Sequence, residues 1–326
     1  MQICNGIFEG GGVKGIGLAG AVYGLEQAGY SFANVGGTSA GAIVASLIAV
    51  GYSGKEIKQE LEKLDYRKFR EKEMLDRFGA FGKVLNISMK MGIYRADYFE
   101  KWLQGLLERK GKTSFGQIRT AETGPHKYRF QAAASDLTSQ KLLVLPDDLR
   151  GFGFDPDHFS IAKAVRMSMS IPIFYEPYRL IDSWGKEHII VDGGLLSNYP
   201  LWLLDDGQSW PRIPTFGFRF TTREDQTLNQ DGQPISGIFD YMKALTGTLL
   251  DAHDKYYISN SKGDYGRSIL IPVTVMVNGK QKEVRSTDFE LGKEAQKGLF
   301  SNGKTAAEKF LTDWDFEKWR QKYRQQ

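Results

Sequence analysis

The chain has 326 residues, 41% of them hydrophobic and 25% charged, with a formal net charge of +4. That balance excludes a disordered chain, and the length suits one large α/β domain with insertions. The positive excess favours anionic surfaces such as phospholipid headgroups but is too weak to argue for nucleic acid, and the single cysteine, Cys4, permits no internal disulfide.

Residues 2–8 read as a strand that places Cys4 in the core and ends in Gly10-Gly11-Gly12. From Val13 to Ala28, Ile16, Ala19, Val22 and Leu25 recur at helical spacing, and Gly29 closes the helix. A short strand, Phe32 to Val35, leads to Gly37-Thr38-Ser39-Ala40-Gly41. The run Ala40 to Val50 then reads as a buried helix stopped by Gly51. This run is about half as long as a membrane span. Because the N-terminus enters a strand and a glycine loop directly, no secretory leader is expected. The expected location is cytoplasmic, with peripheral contact to membranes. Ser53 and Glu56 predict a capping box for a helix through Leu64. This strand–helix–strand–helix opening predicts a parallel sheet covered by helices.

Residues 66–115 look inserted into that core. Charged residues from Arg67 to Glu73 run into an apolar stretch from Phe78 to Ile93, followed by a helix with Phe99, Trp102, Leu103, Leu106 and Leu107 on one face. Such a segment suits a lid or substrate wall, and equally a stripe that packs on the core. Further strands are expected at Tyr128–Ala134, Lys141–Leu145, Ile189–Val191, Thr215–Phe220 and Ile269–Val277, with a helix from Ser160 to Met169. Residues 221–236 read as a surface loop, and the tail after Glu308 as a solvated basic helix end.

Three motifs can carry chemistry. Gly10-Gly11-Gly12-Val13-Lys14-Gly15 fits G-x-G-x-x-G between a strand and a helix, where bare N–H groups attract anions. A dinucleotide site also needs an acid closing the second strand, and Val35-Gly36-Gly37 offers none. The same loop suits an oxyanion, or a purely structural tight turn. Gly37-x-Ser39-x-Gly41 has the strand-before, helix-after setting of a nucleophile elbow, although a serine there can also merely cap the helix. A hydroxyl nucleophile needs a base. His126, His158, His188 and His253 lack a recognisable catalytic setting and read as surface residues. Asp192, ending a strand before Gly193-Gly194, is placed like a site residue at the C-terminal edge of a parallel strand, or like a hairpin turn.

Together and in this order, the three motifs resemble the patatin-like phospholipase family. Ala134-Ser135-Asp136-Leu137 and the run Ala164 to Pro172, with Phe174 and Pro177 following, resemble its middle blocks. Glu9 and Lys14 make the loop similar to bacterial and neuropathy-target-esterase branches, whereas plant patatins usually carry Asp before the glycines and Arg after. The resemblance covers residues 3–200 well, 265–314 loosely and 205–264 hardly.

It implies a three-layer α/β/α sandwich with a mostly parallel sheet, forming one domain over 1–326. The core would span about 3–204 and 265–314, with 66–115 as a helical cap and 205–264 as a poorly matched insertion. It also implies a serine–aspartate dyad without histidine: Ser39 as nucleophile, Asp192 as proton acceptor and the loop Gly10–Gly15 as oxyanion hole. The expected activity is acyl-lipid hydrolysis, with a phospholipid or related substrate at a membrane surface and no cofactor or metal. Acyl transfer by the same dyad, or non-catalytic lipid or nucleotide binding, are the alternatives.

Overall fold

The computed structural model describes residues 2–65, 68, 90–205, 210–221, 241, 244, 263–286 and 288–324. Alternation along the first strand, β1 (Gln2–Phe8), sets up the layers. Cys4 and Phe8 enter the main core, while Ile7 joins Tyr199, Leu201, Leu203 and Leu204 on the opposite face. Successive strand side chains point to opposite sides of a sheet. Burial also pushes the Cys4 thiol far up, which makes it an inert core group.

The other strands are β2 (Tyr30–Gly37), β3 (Gly92–Tyr94), β4 (Phe130–Asp136), β5 (Lys141–Leu145), β6 (Ile173–Tyr175) and β7 (Tyr178–Ile181). They continue with β8 (Glu187–Asp192), β9 (Thr215–Thr221), β10 (Ser268–Pro272), β11 (Thr274–Val277) and β12 (Lys280–Glu283). The central sheet runs β10-β9-β1-β2-β4-β8-β7, with β5 also on β4. Its pairs from β10 through β4 are parallel, while β5 and β8 are antiparallel to β4.

Helices α1 (Gly15–Gln27), α2 (Ala40–Val50), α3 (Gly54–Lys63), α4 (Asp97–Arg109), α5 (Ile161–Ser168), α6 (Lys293–Asp313) and α7 (Phe316–Tyr323) complete a three-layer α/β/α sandwich. The all-apolar α2 packs on β1, β2 and β4 and is almost wholly buried. Its end is fixed by Gly51 at φ 103°, a left-handed position that glycine adopts without strain. The Ser53–Glu56 capping box is present at the start of α3.

Several expectations change. The strand expected over Ile269–Val277 is broken: Pro272 has no N–H to extend the ladder, β10 ends there, and β11 turns back into β12. β3, β6, β7 and β12 are too short to leave a periodic trace in the sequence. The C-terminal helix starts at Lys293, and the tail is not simply solvated. Trp319 in α7 is buried and donates from Nε1 to the Gly263 carbonyl at 2.8 Å. Within the expected insertion, α4 buries Phe99, Leu103, Leu106 and Leu107 against the core. Residues 69–89 of that insertion, and the loop expected over 222–236, lie outside the described residues.

Helix α6 packs against α1 through small residues. A Cβ on Gly20 would lie 2.1 Å from the Phe300 carbonyl oxygen, and one on Gly303 would lie 1.9 Å from that of Gly17. Alanine gains about 1 kcal/mol over glycine in a helix interior, but here a methyl group meets backbone that cannot turn aside. Gly303→Ala is therefore expected to lower stability by about 2 kcal/mol in urea unfolding, against a gain of stability if α6 were loosely packed.

Candidate active site

The site exists because two strands end against each other. β5 occupies one edge of β4 over Ala132–Asp136, so β2 and β8 must share the other edge. Gly37 of β2 pairs opposite Ala132, and Asp192 of β8 opposite Ala134, so the two C-terminal ends meet head to head. β8 is antiparallel to β4, which corrects the expectation that Asp192 closes a parallel strand. No hairpin follows it either. The chain enters a 3-10 turn, Gly193–Leu195, and a Cβ on Gly193 would lie 2.2 Å from the Ala133 carbonyl oxygen.

At the other strand end the backbone reverses at Ser39, which has φ 53° and ψ −121° and leads into α2. A non-glycine residue at positive φ stores strain. The flanking glycines let β1 cross directly beneath: a Cβ would lie 2.6 Å from the Phe8 carbonyl oxygen at Gly37 and 2.1 Å from it at Gly41. Thr38 is fully buried and anchors the turn, its hydroxyl donating to the Ser197 carbonyl at 2.9 Å. Ala40 opens α2 and is also buried.

The Ser39 side chain lies beside the Asp192 carboxylate and favours its charged form. Asp192 is only 2% exposed, and Gly194 donates its N–H to Oδ1 at 2.8 Å. Burial dominates and pushes the Asp192 carboxyl up to about 7, while the bonds from Gly194 and Ser39 pull the other way. That places the titration of a carboxyl group beside Ser39 in the neutral range.

The glycine loop lies over Ser39, and a Cβ on Gly10 would come within 3.3 Å of the Ser39 Cβ. Its N–H groups are not equivalent. Gly10 donates to the Asn198 carbonyl at 3.0 Å, Val13 to Ser286 at 3.1 Å and Lys14 to Gly11 at 3.2 Å, while Gly15 donates to Gly12. Among the described residues, no acceptor takes the N–H of Gly11 or Gly12. The expected six-residue anion loop thus narrows to two donors at the start of a short 3-10 turn, Gly12–Lys14. The Lys14 ammonium lies 4.7 Å from the centre of the Phe220 ring.

Ser39 also opens onto a narrow cavity of about 50 Å³ lined by Val13, Ile43, Leu61, Phe99, Met169 and Phe289, among other apolar side chains. The buried residues of the expected helical stripe pack on the core, and Phe99 and Trp102 also line this cavity.

The family model of the patatin-like phospholipases matches residues 6–205. The chain belongs to that family. It is 38% identical to YqhO of Bacillus subtilis (strain 168) over 318 residues, covering 96% of this chain and 99% of YqhO. Protein R571 of Acanthamoeba polyphaga mimivirus is 26% identical over 312 residues, covering 93% of this chain and 91% of R571. Among solved structures, VipD from Legionella pneumophila superposes with a TM-score of 0.53 at 19% identity, covering 96% of this chain and 67% of VipD. VipD thus shares the fold. Lipid hydrolysis is the chemistry of this family.

No described histidine bonds to Ser39 or Asp192. His188 is not on the surface as expected: it is 5% exposed, with Nδ1 2.9 Å from Asp136 and Nε2 3.4 Å from Asp182. His158 is exposed, His126 lies in the loop before β4, and His253 falls outside the described residues. No helix among the described residues is long and apolar enough to cross a membrane.

Four residues at the site escaped the sequence reading. Ser168 Oγ accepts the Ser39 N–H at 3.0 Å, and the Ser170 carbonyl accepts the Asp192 N–H at 2.8 Å, so one segment at the C-terminal end of α5 holds both strand ends. The buried Arg166 guanidinium braces it through Ser170 Oγ and the Glu176 carbonyl. Asn198 accepts from Gly10 through its carbonyl, and its side-chain amide lies 3.5 Å from both Glu9 Oε1 and the Gly10 carbonyl. The serines stand in the run Ala164 to Pro172, but only the folded contacts assign them these bonds.

Strain at Ser39 gives a stability test. Ser39→Ala keeps a Cβ at φ 53°, whereas Ser39→Gly removes it. Ser39→Gly is expected to exceed Ser39→Ala in stability by about 1 kcal/mol in urea unfolding, and equal stabilities would mean that the turn carries no strain.

Proposed function

We propose that the protein is a serine-dependent lipid acyl hydrolase of the phospholipase A or lysophospholipase type, working through an acyl-enzyme on Ser39. The observation that carries this reading is the buried Asp192 carboxylate lying beside the Ser39 side chain, which itself lines an apolar cavity. The almost wholly apolar lining suits a fatty acyl chain, and it leaves the ester carbonyl at Ser39.

The mechanism follows from where the groups lie. Ser39 Oγ attacks the ester carbonyl carbon as its proton passes to Asp192, and the carbonyl oxygen becomes an oxyanion facing the N–H groups of Gly11 and Gly12. Collapse of the tetrahedral intermediate expels the alcohol, the lysolipid or glycerol-phosphate part, which takes the proton from Asp192. Water then attacks the acyl-enzyme, Asp192 accepts its proton, and the fatty acid leaves as that proton returns to Ser39. Raising the carboxyl toward neutrality makes a lone aspartate a stronger base, so no histidine relay is required. The N-terminus of α2, directly after Ser39, adds positive potential near the developing oxyanion. A phospholipid surface supplies the substrate, in keeping with the net charge of +4.

With a lysophospholipid and a soluble nitrophenyl ester as substrates, Ser39→Ala and Asp192→Asn are each expected to lose about a thousandfold or more in kcat/KM while staying folded. A fluorophosphonate probe should label Ser39 in the wild-type protein and nothing in Ser39→Ala. Ester hydrolysis retained by either folded variant would overturn the dyad.

Asp192 must be ionised to accept the proton, and burial raises its pKa to about 7. Hydrolysis should therefore be weak in mild acid, rise through pH of about 7 and level off above it. A rise already complete at the ordinary carboxylate range, near pH of about 4, would show that a different or solvated group is the base.

A further inference from the structure

We propose that Trp102, together with Leu64, is the end wall of the acyl cavity and sets the longest acyl chain the protein accepts. This rests on the reading of that cavity as the acyl site. The lining of the cavity includes Ser39 and Gly12 as well as Leu61, Leu64 and Trp102. Leu64 and Trp102 also line a second hollow of about 450 Å³, together with Glu60, Lys63, Tyr98, Lys101, Gly105 and Arg109. Leu64 and Trp102 are shared by the two, so their side chains form the partition between them.

The compartments differ in chemistry. The inner one is almost entirely aliphatic and aromatic, whereas the outer one carries an ion-pair cluster, with Glu60 accepting from Arg109 at 2.9 Å and from Lys63 at 3.1 Å. From the inner side Phe99 supports Trp102, with ring centroids 5.7 Å apart. Gly105 lies three residues after Trp102 in α4, hence on the same face. A Cβ there would meet nothing within 4 Å, so the outer hollow has room beyond the indole.

An acyl chain short enough to end inside the cavity leaves water completely. A longer chain must displace the indole and push its methyl end into a charged, solvated hollow. Each further carbon then forgoes the gain of burial, a factor of about four per methylene. Specificity for chain length thus rests on one bulky side chain that separates an apolar volume from a wet one.

The test compares kcat/KM across straight-chain nitrophenyl esters from butanoate to stearate. The readout is the ratio of stearate to butanoate within each variant. Trp102→Ala is expected to raise that ratio about tenfold by joining the two hollows, and Trp102→Ala/Gly105→Leu to lower it again by refilling the outer one. If thermal melting shows that Trp102→Ala does not fold, Trp102→Leu carries the test with a smaller rise. An unchanged ratio in a folded Trp102 variant overturns the wall. Failure of the hydrolase reading itself shows differently, as a wild-type protein that neither turns over any ester nor takes a fluorophosphonate at Ser39, and the wall falls with it.

Discussion

A carboxylate buried beside a serine is the constraint around which the rest of the molecule is arranged. Removing Asp192 from water disfavours its charge, and the Gly194 N–H bond and the neighbouring Ser39 side chain offset part of that. The groups must therefore be held by rigid elements, because a drifting serine would leave the carboxylate almost alone in an apolar interior. β4 supplies that rigidity as a common edge on which β2 and β8 both end. Ser168 and Ser170 tie the two ends together from the opposite side.

The glycines follow from the same arrangement. For Ser39 to project from a tight reversal, β1, the loop after it and α2 must approach to backbone contact. The Phe8 carbonyl lies where side chains at 37 and 41 would be. In the glycine loop, the N–H groups of Gly11 and Gly12 have no acceptor among the described residues, while their neighbours are bonded to Asn198, Ser286 and the loop itself. Such donors are what the proposed mechanism places before the developing oxyanion.

The buried His188 illustrates how a familiar residue can be misleading. It lies on the strand that carries Asp192, four residues earlier, yet it is fixed between Asp136 and Asp182. Antiparallel pairing places it level with the far end of β4, away from the junction of β2 and β8. Its role is structural, holding the β4 turn and the connection between β7 and β8 together. The carboxylate beside Ser39 is instead Asp192, the residue proposed as proton acceptor.

The sequence by itself determined the local pieces. The glycine loop, the serine elbow, the buried α2 with its Gly51 stop and the α3 capping box depend on φ preferences, steric limits and periodicity that act over a few residues. Together, the order of the three motifs also determined the family and its fold class. Tertiary structure alone decided the direction of β8, the break after Pro272, the burial of His188 and Trp319, and which loop N–H groups stay free. Each of these depends on what lies across a sheet edge or a helix interface from residues distant in the chain. Asp192 marks the boundary most clearly. Its residue type and the glycines after it were legible, but the raised pKa on which the proposed base role depends is set by burial, and no spacing within the chain encodes that.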